Sequence, residues 1–332
     1  MEFKIKKPDA ILSFDFAKDG ITQSFISTWR KCPTRARLGL KGYYIPGESA
    51  SLVFGSVFHA AMEYCLYEIK NGVSHPDEFG EPAMLESISD YIHEHFNEEF
   101  LAASADGKKF YADAFEFIPI LMHRYFKFWK EDFFGEHQKE FIHIEKEFAV
   151  PLNGILLRGK IDAIFKQANG LWLMEHKTKS VIPDEVLSMT ISRDLQVMMY
   201  ILCHYLETGV WMKGVLYNVI RKPGLRKKIT ESTKEFHRRC LDDVDGRPQW
   251  YFIRYVAPIS EKALITFQHR LKVELDKIQE WFSTSEIFDA QYTHECQGVY
   301  GRCPFLVYCD SDKTDTTFLQ MKKSHHPELK GV

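Results

Sequence analysis

Three charged residues, Asp162, Glu175 and Lys177, interrupt two apolar runs between residues 159 and 179. An Asn-Gly turn signal at residues 169–170 separates the two runs, a pattern that is typical of a β-hairpin. Side chains alternate along a strand, so Glu175 and Lys177 share one face. Paired strands lie about 5 Å apart, so we expect Asp162 to reach the same patch from the neighbouring strand.

Two carboxylates in one small patch repel each other unless a cation lies between them, and hard oxygen ligands suit Mg²⁺ or Mn²⁺. Such an ion activates water and neutralises phosphate charge, while Lys177 orients the water or stabilises the developing charge. The alternative is a set of solvated charges on an exposed strand. The flanking apolar runs favour burial, and buried charges are rarely unpaired. The pattern therefore favours a metal site.

The composition is that of an ordinary globular protein of 332 residues, 45% of them hydrophobic, with a formal net charge of −3. Any nucleic-acid binding must therefore come from local basic patches. No apolar run approaches the ~20 residues of a membrane span, and the N-terminal residues show no signal-peptide core. We expect a cytoplasmic protein with no membrane partner, whose seven cysteines are thiols or metal ligands.

Helical periodicity dominates the first part of the chain, and strand-like alternation follows from about residue 141. This order predicts an α/β fold with a mixed sheet at its centre. We expect the aromatic residues of the second long helical pattern to form core, and the tail from about residue 310 to pack poorly. The expected helices are 25–32, 55–70, 82–103, 110–132, 188–208, 230–245 and 260–284, and the expected strands are 141–150, 159–165, 171–177, 211–222 and 249–257.

Two basic segments, residues 30–41 and 221–228, are candidate contacts for a nucleic-acid backbone. Their charges are equally compatible with solvated loops. The sequence alone leaves both interpretations open.

Cys296, Cys303 and Cys309 lie within fourteen residues, a density that indicates a soft metal or an iron–sulfur cluster. Cys32 precedes a proline in a loop-like context and is the best candidate for a fourth ligand, with His294 as an alternative. A zinc site is the competing interpretation, although zinc sites usually contain C-x₂₋₄-C pairs, which this chain lacks. Three further cysteines are weaker candidates, two of them in apolar helices that predict burial: Cys65, Cys203 and Cys240.

From about residue 22 to 310 the chain resembles the RecB-type branch of the PD-(D/E)xK nuclease superfamily. Within that branch it resembles the iron–sulfur members, which include the AddB nuclease domain, CRISPR-associated RecB-like nucleases and phage-encoded relatives. Four segments carry the resemblance: GKIDAI with Asp162, EHK with Glu175 and Lys177, QVMMY from Gln196 to Tyr200, and GSVFH from Gly55 to His59 with Glu63 one turn later.

The resemblance implies a restriction-endonuclease-like fold, with a central mixed sheet flanked by helices, and a role for each matching residue. Lys177 would position the water nucleophile, and Gln196 and Tyr200 would contact the substrate backbone or orient Lys177. One or two divalent metals would be held by His59, Asp162, Glu175 and the main-chain carbonyl of His176.

The resemblance also implies that Cys32, Cys296, Cys303 and Cys309 bind one four-iron cluster that joins the chain ends. The six-residue gap between Cys296 and Cys303 departs from many relatives, which have two. We expect one RecB-like nuclease domain over residues 1–332. Its expected parts are an N-terminal helix and ligand segment (22–54), a helical region (55–135), the nuclease core (140–256), a C-terminal helix and ligand segment (257–310) and a tail (311–332).

The implied activity is metal-dependent hydrolysis of DNA, by an exonuclease acting on single strands or DNA ends in repair, recombination or phage or CRISPR DNA processing. Three alternatives stay open: a structure-specific endonuclease, a non-catalytic nuclease-fold scaffold that binds DNA, and a zinc-stabilised interaction module. Relatives of this type work beside a helicase, a recombinase or a CRISPR integrase. The sequence has no P-loop, so ATP-driven unwinding would come from such a partner.

Overall fold

Helices precede and flank a run of strands, in the order that the apolar patterns predict. The computed structural model describes residues 13–44, 50–95, 113–180, 184–284, 294–298, 301–311, 317, 319–322, 324–326 and 329. The strands are β1 Tyr43–Tyr44, β2 Glu140–Leu152, β3 Ile155–Gln167, β4 Gly170–Lys179, β5 Gly214–Arg221, β6 Phe252–Pro258, β7 Gln297–Gly298, β8 Gly301–Arg302 and β9 Gln320–Met321. The α-helices are α1 Gln23–Lys31, α2 Pro33–Leu40, α3 Ala50–Lys70, α4 Glu81–His95, α5 Ile118–Phe128, α6 Lys130–Phe133, α7 Asp184–Thr190, α8 Leu195–Thr208, α9 Thr233–Gly246, α10 Pro248–Tyr251, α11 Glu261–Thr284 and α12 Leu306–Asp310.

The chain divides into two compact units. One contains residues 48–146 and 160–264, and we call it the sheet unit. The other contains residues 1–47, 147–159 and 265–332, and we call it the terminal unit. The expectation of a single nuclease domain over the whole chain stays a prediction.

The central sheet has five strands in the order β2-β3-β4-β5-β6. Strands β3 and β4 pair antiparallel, β4 and β5 parallel, and β5 and β6 antiparallel. The parallel pair requires a crossover, which α7 and α8 supply between β4 and β5. The predicted α/β fold with a mixed sheet flanked by helices is therefore confirmed.

Aromatic side chains of α5 and α6 are the centre of the main hydrophobic core in the sheet unit. Tyr125, Phe126 and Phe133 are at most 1% exposed and pack with residues of α3, α4 and α9. The sheet contributes Trp172 and Met174, which are two residues apart on β4 and therefore lie on the same face. Burying a side chain of this size stabilises a fold by roughly 1.5–3 kcal/mol, so the aromatic pattern is core, as expected.

The helix predicted over residues 188–208 is interrupted, and this part of the prediction is wrong. Asp194 caps α8, because its Oδ1 accepts hydrogen bonds from the main-chain N–H groups of Gln196 and Val197 at 2.9 and 3.1 Å. A new helix therefore begins at Leu195, which fixes the direction of the first turn of α8. Likewise, α3 begins at Ala50, five residues before the predicted start at Gly55.

The terminal unit brings the two ends of the chain together. Arg30 of α1 binds Glu274 of α11 through two hydrogen bonds of 2.7 and 2.6 Å. In the described part of the tail, β9 pairs with β1, and the Lys322 main-chain N–H donates to the Gly42 carbonyl oxygen at 2.8 Å. The expectation of a poorly packed tail is therefore wrong for these residues.

Some predicted features lie outside the described residues: the N-terminal residues 1–12, the end of the helical pattern beyond residue 95 and the turn signal at residues 105–107. Among the described residues, Glu185–Thr208 is long and apolar enough to cross a membrane by length and composition alone, although no such run is predicted from the sequence. The α8 part of this segment is mostly buried, and a buried core helix passes the same test. The segment is therefore weak evidence for a membrane span.

We expect Gly154→Ala to destabilise the β2–β3 hairpin. Gly154 follows Asn153 in a two-residue turn, with φ angles of +76° and +55°, and an alanine is strained at such an angle. Urea unfolding should show a loss of about 1 kcal/mol in the free energy of unfolding. Gly39→Ala is the matched control, because Gly39 lies in α2 with open space at its Cβ position and should gain stability instead. Equal effects at both glycines would contradict the turn geometry.

Candidate active site

Asp162 is fixed by the pairing of β3 with β4. The register pairs Ala163 with Met174, so Asp162 lies opposite Glu175 on the same face of the sheet. Asp162 as a whole is 7% exposed, and its Oδ2 accepts a hydrogen bond of 2.7 Å from the main-chain N–H of His176. The hairpin backbone thus holds one of the predicted site residues in place.

Glu175 and Lys177 of β4 meet Gln196 of α8 in one hydrogen-bonded network. Lys177 Nζ lies 2.5 Å from Glu175 Oε1 and donates to Gln196 Oε1 at 2.9 Å. The amide nitrogen of Gln196 donates to Glu175 Oε1 at 2.8 Å and to the hydroxyl of Tyr200 at 3.1 Å. Gln196 and Tyr200 are four residues apart and share a face of α8. The structure therefore brings together the carboxylate, the lysine and the glutamine–tyrosine pair that the sequence singles out.

The second oxygen of Glu175 has no partner of its own. The Glu175 side chain is 0% exposed, and its Oε2 has no hydrogen-bond partner among the residues that the structure describes. A buried carboxylate oxygen without a partner is costly, and native proteins satisfy such atoms with a donor, water or ion. The orphaned oxygen therefore fits a ligand atom for a cation.

Three potential metal ligands converge at His59, Glu145 and Asp162. Their ligand atoms all lie within 4.8 Å of one another, and His59 Nδ1 is 3.6 Å from Asp162 Oδ1. The trio has one imidazole and two carboxylates, a donor set that suits Mn²⁺ or Mg²⁺. Glu175 is not part of this trio. The candidate metal site therefore contains an acidic residue that the sequence motifs do not include.

Glu145 is the residue that sequence reasoning missed. It lies in the predicted strand FIHIEKEFAV, and strict alternation gives no reason to place it at the site. In the structure the buried residues Phe141 and Ile144 are three apart, so the alternation breaks just before Glu145. The φ angle of Glu145 is +47°, a conformation that non-glycine residues seldom adopt. An irregular backbone turns this side chain toward His59 and Asp162, and no local sequence signal predicts that.

The carboxylates have opposite protonation tendencies. Burial and the charge of Asp162 together raise the pKa of Glu175 to about 8, against the effect of Lys177. Burial and the charge of Asp162 likewise raise the pKa of Glu145 to about 8, and Lys160 binds this carboxylate at 2.7 Å. Burial opposes ionisation of Asp162 as well, but His59 and the hydrogen bond from His176 hold its pKa well below the usual range.

Burial lowers the pKa of His59 to about 4, against the attraction of Asp162. A neutral imidazole is the form that binds metals, so His59 is ready to act as a ligand at neutral pH. Burial opposes the charged form of Lys177, yet Glu175 and Asp162 raise its pKa above the usual range. Lys177 is therefore a cation at neutral pH and 29% exposed, which leaves it accessible to a substrate phosphate.

The side chain of His176 points to the other face of β4. It is fully buried, and its Nε2 shares a hydrogen bond of 3.2 Å with the hydroxyl of Tyr125. Burial raises the pKa of Tyr125 to about 12, so the hydroxyl stays neutral. This contact ties β4 to the aromatic core. The metal role expected for the main-chain carbonyl of His176 stays a prediction.

The predicted cysteine ligands lie in the terminal unit. Cys32, Cys296 and Cys303 line one cavity of about 130 Å³. The Cys303 main-chain N–H donates to the Cys296 carbonyl oxygen at 2.9 Å, which closes the short β7–β8 hairpin between them. Cys309 lies on α12 and does not line this cavity. Three of the four predicted ligands are thus brought together.

The other cysteines are core residues. Cys65, Cys203 and Cys240 are at most 2% exposed, so the burial predicted for the first two also holds for Cys240. Of the basic segment at residues 30–41, Arg30 is bound to Glu274, and Arg37 is 8% exposed and stacks on Phe282 at 4.9 Å. The expectation that this segment contacts nucleic acid is therefore wrong for Arg37.

A mixed sheet that presents a lysine and two carboxylates on paired strands, beside a candidate metal site, is an arrangement that suits metal-dependent phosphodiesterases. Residues 21–310 match the family model of the PD-(D/E)XK nuclease superfamily, and the chain belongs to this superfamily. The family implies a nuclease that uses divalent metals and has DNA as its substrate. No curated protein matches the chain.

We expect the metal-free protein to lose stability as the pH rises. An unfolded glutamate has a pKa of about 4.3, whereas the pKa of folded Glu175 is about 8. Between these values the folded state holds a proton that the unfolded chain releases, so the free energy of unfolding falls by up to about 1.4 kcal/mol per pH unit. Urea unfolding in EDTA at several pH values measures this slope.

Glu175→Gln should reduce that slope, because an amide has no proton to lose, while Glu145, whose pKa is also raised to about 8, keeps part of the pH dependence. The control is Glu86→Gln, which removes an exposed carboxylate of α4 and should leave the slope unchanged. A slope that is the same in the wild-type protein and in Glu175→Gln would contradict the burial of a protonated Glu175.

Proposed function

We propose that the protein is a metal-dependent deoxyribonuclease of the RecB type, and that it acts as an exonuclease on single-stranded DNA or DNA ends. One observation carries the proposal. The orphaned, fully buried oxygen of Glu175 lies in a network with Lys177, and Asp162 on the paired strand joins His59 and Glu145 in a metal-ligand trio. A buried carboxyl group with an unpartnered oxygen, a fixed cation and a candidate metal site together suit phosphodiester hydrolysis.

His59, Asp162 and Glu175 would hold the divalent metal, with Glu145 as an additional ligand. When bound, a divalent cation neutralises phosphate charge and lowers the pKa of water. Lys177 is charged and accessible, so its ammonium group orients the attacking water and stabilises negative charge on the phosphate oxygens.

Gln196 and Tyr200 act as positioning residues for this reaction. The Gln196 amide accepts from Lys177 and donates to Glu175, so it fixes both groups relative to each other. Tyr200 accepts from the same amide nitrogen and locks the amide orientation. Burial raises the pKa of Tyr200 well above its usual value, so the hydroxyl stays neutral. Loss of this pair should therefore reduce the rate less than loss of Asp162, Glu175 or Lys177.

We expect Asp162→Asn to abolish cleavage while leaving the fold intact. The amide loses the negative charge that a metal requires, so the rate should fall at least about 100-fold. The assay uses 5′- and 3′-labelled single- and double-stranded DNA with Mg²⁺ or Mn²⁺, after anaerobic purification. Asp90→Asn, an exposed change on α4, is the control. Wild-type cleavage by purified Asp162→Asn would disprove the site assignment, and absence of cleavage by the wild-type protein would favour a DNA-binding scaffold.

The same assay separates the two kinds of nuclease. A strict exonuclease leaves closed circular single-stranded DNA intact, whereas a structure-specific endonuclease cuts it. We propose the first outcome. Because the sequence has no P-loop, we also propose that a helicase, a recombinase or a CRISPR integrase partner supplies the substrate end.

We propose further that Cys32, Cys296, Cys303 and Cys309 hold a four-iron cluster. Support comes from the shared cavity of three of these thiols and from the position of Cys309 six residues after Cys303. Burial raises the pKa of the Cys303 thiol and the thiols of Cys32 and Cys296 add to this, while nearby Arg35 favours the thiolate. Several cysteine thiolates that lie close together are typical ligands of a soft metal or an iron–sulfur centre.

Cys303→Ala should lower the stability of the protein and reduce nuclease activity only as a consequence. Cys32 and the C-terminal cysteines are far apart in sequence, so joining them closes a long loop, which is worth several kcal/mol in the chain-entropy description. Iron and sulfide content, visible absorption and thermal unfolding measure the effect. A colourless wild-type protein that contains zinc would favour the zinc site, and a stable, active Cys303→Ala protein would disprove the structural role.

A further inference from the structure

A row of polar residues crosses the face of the central sheet that packs against the aromatic core. The strand registers pair His176 of β4 with Asn218 of β5, and Asn218 with Arg254 of β6. Paired residues of neighbouring strands lie side by side on one face of a sheet. His176 and Asn218 are 0% exposed, and the Arg254 side chain is 9% exposed. Burying polar and charged groups in a core costs free energy unless they are paired, so this row needs a physical explanation.

Arg254 is held in this row from three sides. Its Nε donates to Asn218 Oδ1 at 2.7 Å, and its Nη1 binds the carboxylate of Asp132. Its Cζ lies 3.7 Å from the ring centroid of Trp129. A guanidinium keeps its charge in proteins, so a fixed cation lies at the edge of the aromatic core.

The hydroxyl of Tyr125 connects this cation with His176. Burial raises the pKa of Tyr125 to about 12 and the charge of Arg254 opposes this, so the hydroxyl is neutral and close to the guanidinium. The same hydroxyl lies 3.2 Å from His176 Nε2. A guanidinium offers donors only, so the Tyr125 oxygen turns its lone pairs to Arg254 and donates its proton to Nε2. A neutral imidazole that accepts at Nε2 carries its proton on Nδ1.

The Nδ1 atom of His176 faces Asp162. It lies 3.7 Å from Asp162 Oδ2 and has no hydrogen-bond partner among the residues that the structure describes. The same oxygen accepts the main-chain N–H of His176 at 2.7 Å. A proton on Nδ1 attracts the carboxylate, whereas a lone pair there would repel it. His176 therefore presents two N–H groups to one oxygen of a proposed metal ligand.

We propose that Tyr125 and His176 are positioning residues for the metal site, and that Arg254 fixes the direction of the hydrogen bond between them. Arg254 directs the Tyr125 proton to Nε2, and the ring proton of His176 then stays on Nδ1, where it supports Asp162. Groups behind metal ligands orient them in this way, and their loss costs about 10–100-fold in metal affinity or activity. This inference rests on the proposed function and specifies what holds the Asp162 carboxylate ready for a divalent cation.

NMR of the metal-free protein labelled with ¹⁵N-histidine locates the ring proton directly. The two ring nitrogens of a neutral imidazole have different ¹⁵N shifts, and the signals that are missing from a His176 variant identify this residue. We expect a protonated Nδ1 and an unprotonated Nε2. A proton on Nε2 alone, or on both nitrogens, would overturn the inference.

Tyr125→Phe removes the hydroxyl and keeps the ring in the core. Binding of Mn²⁺, measured by calorimetry without DNA, should be weaker in this variant, and in His176→Leu it should be weaker by about tenfold or more. Tyr64→Phe is the matched control, because the Tyr64 hydroxyl donates to the Gly80 carbonyl oxygen at 3.3 Å and not to the row. The control should bind Mn²⁺ like the wild-type protein. If Tyr125→Phe also binds Mn²⁺ like the wild-type protein, the inference is wrong.

His176→Asn distinguishes a positioning role from a packing role. Asparagine and leucine have the same branched shape, but only asparagine keeps an N–H donor near the position of Nδ1. His176→Asn should therefore bind Mn²⁺ more tightly than His176→Leu. Equal affinities of the two variants would show that the ring only fills space. Thermal unfolding confirms that each variant is folded, and the wild-type spectrum and Tyr125→Phe decide the matter if the His176 variants do not fold.

Failure of this inference and failure of the proposed function give different results, because neither the NMR spectrum nor Mn²⁺ binding depends on cleavage. A protein that cuts DNA but binds Mn²⁺ equally well after Tyr125→Phe keeps the nuclease function and loses the inference. A protein that never cuts DNA, yet has its His176 proton on Nδ1 and loses Mn²⁺ affinity in that variant, keeps the inference and loses the nuclease function.

Discussion

Burial of the Glu175 carboxylate is the constraint on which the candidate site depends. A carboxyl group at 0% exposure is tolerated in its charged form only where groups around it compensate the charge, and without a cation burial favours the protonated form. Lys177 compensates one oxygen from the same strand, and Gln196 does so from α8. The second oxygen stays orphaned among the described residues. The fold thus creates one buried position at which a bound cation would be stabilised.

The position of Asp162 is determined by the backbone rather than by side-chain packing alone. Its carboxylate accepts the main-chain N–H of His176, so it moves only if the β3–β4 hairpin moves. The ring of His176 in turn binds Tyr125 in the aromatic core. A carboxylate held in this way is pre-organised for a metal, because little side-chain freedom is left to lose on binding.

Each of the two candidate centres lies within one unit of the chain. The metal-ligand trio and its lysine network belong to the sheet unit, whereas the cysteine cavity belongs to the terminal unit, which joins residues from both ends of the sequence. Because of this division, we expect mutations at the two centres to have different effects. We expect changes at the carboxylates to affect the proposed reaction, and changes at the cysteines to affect how the distant segments of the terminal unit hold together.

Period-2 and period-3.6 spacing are local properties, so the sequence is enough to predict the hairpin, the shared face of Glu175 and Lys177, and the helical pairing of Gln196 with Tyr200. The place of Glu145 depends on the folded chain, because an irregular backbone at a φ of +47° aims that side chain and leaves no local signal. The same is true of the buried Arg37, which stacks on Phe282, 245 residues further along the chain. Non-local packing places these groups, and spacing along one strand or helix carries no information about it.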